Sequence, residues 1–168
     1  MSNLKGDLKN EIQKLIGKEC WAVIAGKGRG SNVDLRIGEK LPMKEPINNL
    51  SISEDARKYD SEYALFILCT WRIDNDEKVV CGSWDYNLEN GKMLKGLNLL
   101  IGNKILDSYL TEPALDLTLR FSSNINIKIF CDQTNEKDDY DNYDLFTPTE
   151  IITVGSQSIL KSEPREFD

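Results

Sequence analysis

The sequence predicts a single α+β domain over residues 1–168, mainly antiparallel sheet with two or three helices. Three observations lead there. Apolar and polar residues alternate over short runs, as half-buried strands require, in Val33-Asp-Leu-Arg-Ile37 and Leu115-Asp-Leu-Thr-Leu-Arg-Phe121. Apolar residues recur at helical spacing in only a few short segments. Turn residues separate almost every run, and 168 residues suffice for one hydrophobic core.

From the N-terminus, Leu4, Leu8, Ile12, Leu15 and Ile16 share one helical face, and Gly17 is placed to end the helix. Residues 20–25 read as a strand, 26–32 as a turn and 33–37 as the returning strand. Residues 38–62 carry Pro42 and Pro46 and read as mostly loop, with a short helix beginning behind Ser53, an N-cap type. Residues 63–73 are apolar on both faces, which predicts one central strand buried on two sides. The Asp74-Asn-Asp-Glu77 turn then makes a hairpin with residues 79–85. After Asn90-Gly91 the pattern restarts, with Met93, Leu97, Leu100 and Ile101 on one helical face and Gly102 as the stop. Strands follow at 105–110, 115–121 and 125–131, then an acidic loop and one or two closing strands within 145–160. Residues 161–168 read as a flexible tail.

Residues 1–87 and 88–160 read as two copies of one helix-plus-strands unit. Leu15-Ile16-Gly17-Lys18 aligns with Leu100-Ile101-Gly102-Asn103, and Val33-Asp34-Leu35-Arg36 with Leu115-Asp116-Leu117-Thr118. Glu62-Tyr63-Ala64-Leu65-Phe66 aligns with Asn142-Tyr143-Asp144-Leu145-Phe146. Neither half is large enough for a secure core, so the two are expected to share one. What only one half carries becomes a candidate for function.

The chain has no histidine, which removes Ser-His and Cys-His catalysis and the commonest general base near neutral pH. The four cysteines, Cys20, Cys69, Cys81 and Cys131, form no C-x-x-C pair and read as small buried hydrophobes. No catalytic residue, metal site or cofactor is expected. Formal net charge is −7, with 28 acidic against 21 basic residues, which argues against nucleic acid and anionic membrane as partners. It suits a basic protein. The N-terminus carries no secretory pattern, so a cytoplasmic location is expected.

Three segments are asymmetric between the halves. The first is Gly26-Lys-Gly-Arg-Gly-Ser-Asn32, where Lys27, Gly28, Arg29 and Ser31 would contact a ligand through freed amides and two cations. It lacks the Walker spacing and lies between two strands, so a mobile hairpin tip is the simpler reading. The second is Trp71-Arg72 with Trp84-Asp85, expected on two strands of one hairpin with Arg72 tied to Asp85. The third is the acidic loop, where Asp138, Asp139, Tyr140, Asp141 and Tyr143 would face a basic partner. It departs from an EF-hand, since the fifth position from Asp139 is Tyr143 and glycine is absent. Asp34 and Asp116 could meet as a carboxylate pair across the two halves, but each lies on the polar face of an alternating strand, and exposed strand charge explains them without chemistry.

Leu65-x-Ile67-x-Cys69-x-Trp71-Arg72, Gly82-Ser83-x-Asp85, Leu97-x-x-Leu100-x-Gly102 and Asp116-Leu117-x-Leu119-x-Phe121 resemble strings in a loose group of small bacterial proteins. Some of that group look like immunity proteins of polymorphic toxin systems. The resemblance covers roughly residues 60–150, rests on core-like positions and carries no catalytic residue. The absence of histidine, the net acidic chain and the asymmetric acidic and aromatic loops lead to the main expectation, a non-catalytic interaction protein such as an immunity protein that binds and neutralises a basic toxin. The other expectation is a small-molecule or nucleotide binder using residues 26–32.

Overall fold

The computed structural model describes residues 3–137 and 140–167. Asn3 caps α1 (Leu4–Lys14), its side chain accepting from the Gly6 N–H at 3.2 Å. Leu8, Ile12 and Leu15 are buried, whereas Ile16 is left outside. The chain reverses at Gly17 in the left-handed region, φ 89°. β1 (Cys20–Ile24) and β2 (Val33–Pro42) follow, then α2 (Glu54–Lys58), capped by Ser53. β3 (Tyr59–Ile67), β4 (Thr70–Asp74) and β5 (Val79–Gly82) complete the first half. The second contains α3 (Lys92–Asn98), β6 (Ile105–Thr111), β7 (Asp116–Phe121), β8 (Ile125–Phe130), β9 (Tyr143–Phe146), β10 (Glu150–Val154) and β11 (Leu160–Pro164).

The strands make two antiparallel sheets, in the orders β1-β2-β3-β9-β10-β11 and β5-β4-β8-β7-β6. Their inner faces share one core, in which Leu35, Ile37, Leu65 and Ile67 lie with Leu117, Leu119, Ile127 and Ile129. Alternation puts these residues inside and their neighbours outside, which is why the sequence reads as strands at all. α1 lies against β6 and β11, and α3 against β5, so apolar helix faces cover sheet edges. No helix among the described residues is long and apolar enough to cross a membrane.

Both halves contribute to both sheets. Exchanging β1 with β6, β2 with β7, β3 with β8, β4 with β9 and β5 with β10 turns β1-β2-β3-β9-β10 into β6-β7-β8-β4-β5. β11 has no counterpart. The same exchange governs the corner where the sheets join. Gly17 N–H donates to Ile105 O at 2.7 Å and Gly102 N–H to Cys20 O at 2.8 Å. Cys20 N–H donates to Asn103 O at 3.0 Å and Ile105 N–H to Lys18 O at 2.9 Å. Each bond maps onto its mate when Gly17, Lys18 and Cys20 are swapped for Gly102, Asn103 and Ile105.

Two of the sequence alignments do not follow these equivalences. β1 and β6 each bulge one residue in, at Trp21 and Leu106, after which Val23 faces Leu35 and Ser108 faces Leu119. Leu35 therefore corresponds to Leu119 rather than Leu117. Tyr63 lies on β3 and Tyr143 on β9, and those strands pair with each other, Leu65 opposite Leu145. Alternating strands tolerate a two-residue slip without changing which side chains face inward, so the pattern alone does not set this register.

Other boundaries shift for identifiable reasons. The apolar run 63–73 is two strands: it leaves one sheet at Ile67 and enters the other at Thr70. Residues 38–42, expected as loop, extend β2, because Gly38 takes φ 85° in an irregular stretch of the ladder. β5 ends at Gly82, so Trp84 and Asp85 lie beyond the hairpin. The expected tail forms β11, and Arg165 behind it is buried.

Candidate functional site

The glycine loop links edge strand β1 to β2 and curls because Gly26 and Gly28 take φ 115° and 84°. It is pinned rather than free. Asn87, from the loop 83–91, donates through Nδ2 to Gly26 O at 2.8 Å and Gly30 O at 2.9 Å. The loop 83–91 is itself held at both ends. The Asp85 carboxylate accepts from Gly82 N–H at 2.8 Å, and Gly91 N–H donates to Leu88 O at 2.9 Å. Yet Trp84 is 93% exposed and Tyr86 85% exposed, and Leu88 and Leu50 are exposed as well.

Beneath these two loops lies a cavity of about 440 Å³, walled by apolar residues of β1, α3 and the segment before α2. Lys27, Arg29 and Glu89 stand at its lining. A second cavity, about 310 Å³, opens on the outer face of the larger sheet. There Arg36 bridges Asp34 (2.9 Å) and Asp60 (3.0 Å), over a floor that includes Phe66 and Phe146. Burial pushes the Asp34 carboxyl up from the ordinary range, and the Arg36 guanidinium opposes it. Arg29 lines both cavities.

The predicted site residues are thus partly gathered and partly dispersed. Lys27 and Arg29 line one cavity with Leu88 and Glu89 of the loop that carries Trp84 and Asp85, whereas Gly28 is not part of that lining. Ser31 contributes its carbonyl to the Trp71 indole N–H at 2.7 Å, and Trp71 is a core residue rather than a ligand contact. Arg72 lies on the outer face of the other sheet, paired with Asp74 at 3.2 Å and 5.3 Å from the Phe130 ring centre. Its expected partner Asp85 instead meets Lys92 at 3.5 Å. Asp34 is held by Arg36, while Asp116 accepts from the Cys131 N–H at 2.7 Å, so the two aspartates serve different sheets.

The acidic loop divides similarly. Asp138 and Asp139 lie outside the described residues. Tyr140 is exposed, whereas Tyr143 is buried and donates to Leu115 O at 2.9 Å, so it is unavailable to a partner. Asn142 between them is buried too, its Nδ2 donating to Gly155 O at 2.8 Å. Asn87, Leu50 and Leu88 were not legible as site residues, because nothing in their local sequence announces which loops meet.

Asp144 closes the series on β9. Burial raises its carboxyl above the ordinary value, a shift that the Thr153 hydroxyl, donating at 2.6 Å, only partly offsets. A raised folded-state value means that the native chain holds the proton more tightly than the unfolded one. Its contribution therefore favours folding at low pH and weakens as pH rises through the raised value. Asp144→Asn keeps an acceptor for Thr153 and is expected to raise Tm at pH 7. That gain should vanish below the ordinary carboxylate range, where both side chains are neutral. Thermal unfolding of the two proteins across pH 3–8 tests this, and a gain that persists at low pH contradicts it.

No family model, curated protein or solved structure matches the chain.

Proposed function

We propose that this chain is a non-catalytic interaction protein that docks a basic protein partner, in the manner of an immunity protein occluding a toxin. One observation carries the reading: Trp84 and Tyr86 stand almost fully exposed on a loop held at both ends. Large aromatic side chains in water are an unusual arrangement for an isolated chain, and Trp and Tyr dominate the energetics of protein interfaces. Pinning by Asn87 and Asp85 lowers the ordering cost of binding, since the anchors are already placed. The excess of acidic residues supports a basic partner, because complementary fields accelerate encounter. The docking surface in this reading centres on residues 83–91, not on the acidic loop.

The test compares wild type with Trp84→Ala/Tyr86→Ala as immobilised baits in an extract of the source organism. Both side chains are exposed, so the variant should keep its Tm within about 2 °C. Wild type is expected to retain one basic protein at low salt, less at high salt, and the double variant to bind it at least ~30-fold more weakly. Trp71 is buried and Trp21 partly so, which makes Trp84 the fluorophore whose emission should shift to the blue on binding. Equal capture by both baits would move the surface elsewhere. No capture at either salt would defeat the reading.

A further inference from the structure

We propose that the cavity beneath the glycine loop binds a single-chain amphipathic anion, its apolar tail inside and its charge at Lys27 and Arg29. The cavity shares Leu88 and Glu89 with the loop 83–91, but Trp84 and Tyr86 do not line it, so the Trp84→Ala/Tyr86→Ala variant tests docking separately. The walls come from four separate segments: Val23 and Ile24 of β1, Leu50 and Ile52 ahead of α2, Leu88 of the pinned loop, and Leu94 of α3. That is a concavity of ligand size, about 440 Å³, whose lining is shared between these apolar residues and the polar Lys27, Arg29, Ser51, Ser53 and Glu89.

Its shape is imposed by the fold. A Cβ at Gly26 would stand 3.4 Å from Leu94 Cδ1, so the loop already touches the α3 side of the cavity. Asn87 then clamps the loop in place through Gly26 O and Gly30 O. The two cations of the loop are left at the lining. Neither Lys27 nor Arg29 makes a salt bridge among the described residues, whereas Arg36 and Lys92 nearby are paired. Arg29 is also attracted by the Asp34 carboxylate in the neighbouring cavity, without a salt bridge between them. An apolar tail satisfies the walls, and an anionic head satisfies the two cations. Glu89 is the opposing feature, a carboxylate at the same cavity that repels an anion.

That opposition makes the test two-sided. Octanoate, octanol and acetate are titrated separately into the full chain by isothermal calorimetry at low salt. Octanoate is expected to bind at least ~10-fold more tightly than octanol, which lacks the charge, and acetate, which lacks the tail. Lys27→Ala/Arg29→Ala should weaken octanoate by about tenfold while leaving octanol unchanged. Glu89→Gln should tighten octanoate a few-fold, which a merely structural role for Glu89 would not do. Octanoate and octanol binding alike, the double variant binding octanoate as wild type does, or no octanoate binding at millimolar concentration would each overturn the proposal.

Discussion

Trp71→Ala is expected to destabilise the fold by about 3–5 kcal/mol, a large part of the stability of a domain this size. Trp71 is among the largest fully buried side chains and sits where β4 meets β8, opposite Ile129. Alanine would leave a cavity between the sheets that close-packed neighbours relax into only partly. Trp71→Phe separates packing from polarity. It keeps most of the ring but strips Ser31 O of its 2.7 Å donor, at a cost of about 1–3 kcal/mol. Urea unfolding should show both midpoints falling at unchanged slope, with alanine clearly the worse. Equal losses would mean that the hydrogen bond, not the volume, dominates, and a loss below ~1 kcal/mol for alanine would refute the packing account.

Trp71 also explains how the core reaches the candidate surface. Its bond to Ser31 fixes the far end of the glycine loop, while Asn87 fixes the near end from outside. Tyr143 performs the matching task in the other half: it lies on β9 opposite Ile67 and donates to Leu115 O at 2.9 Å. Ser31 and Leu115 each stand two residues ahead of an inward residue, Val33 and Leu117, whose partners are Ile67 and Ile129. The two largest polar aromatics of the core thus close equivalent loops. Only one of those loops is built of glycines and carries cations, Lys27 and Arg29, that make no salt bridge among the described residues.

The strands were legible because alternation has a physical origin, one face dry and one wet, and Val33-Asp-Leu-Arg-Ile37 can satisfy it in one way. Helix ends were legible for the same kind of reason: Gly17 and Gly102 adopt positive φ where the helical pattern stops. What stayed hidden is everything set by which segments meet. Residues 63–73 are apolar on both faces, and such a run looks the same whether it crosses one sheet or leaves one for another at Leu68 and Cys69. Trp71 and Trp84 carry the same side chain and were read together, yet one is core and the other is 93% exposed. The acidic loop misled in the opposite sense, since Asn142 and Tyr143 are buried among carboxylates that suggest solvent. Asn87 matters only because the glycine loop lies opposite it, a fact of tertiary structure alone.

Arg165→Ala is expected to cost about 3–5 kcal/mol although only three residues follow it in the sequence. Its side chain is 3% exposed and works where the sheet lacks a strand. β9 ends at Phe146, opposite Ala64, so its ladder with β3 stops short of Ser61 and Glu62. Arg165 supplies the missing donors: Nη1 to Glu62 O at 2.9 Å and Thr147 O at 2.8 Å, Nη2 to Ser61 O at 2.6 Å and Asp60 Oδ1 at 3.1 Å. The ring of Phe167 covers the guanidinium, 4.2 Å from its centre. Burial lowers the arginine's proton affinity, and Asp60 opposes that shift. Asp60 also holds Arg36 at 3.0 Å, so the cost of the alanine variant falls mainly on the three carbonyls that lose the Arg165 donors. Arg165→Lys distinguishes charge from geometry. An ammonium preserves the charge but cannot span acceptors laid out for a planar fork, so lysine should recover only a minor part of the loss. Denaturant unfolding of the three proteins decides it. Full recovery by lysine would assign the effect to charge, and an alanine variant within ~1 kcal/mol of wild type would mean that water replaces the guanidinium along that edge of β3.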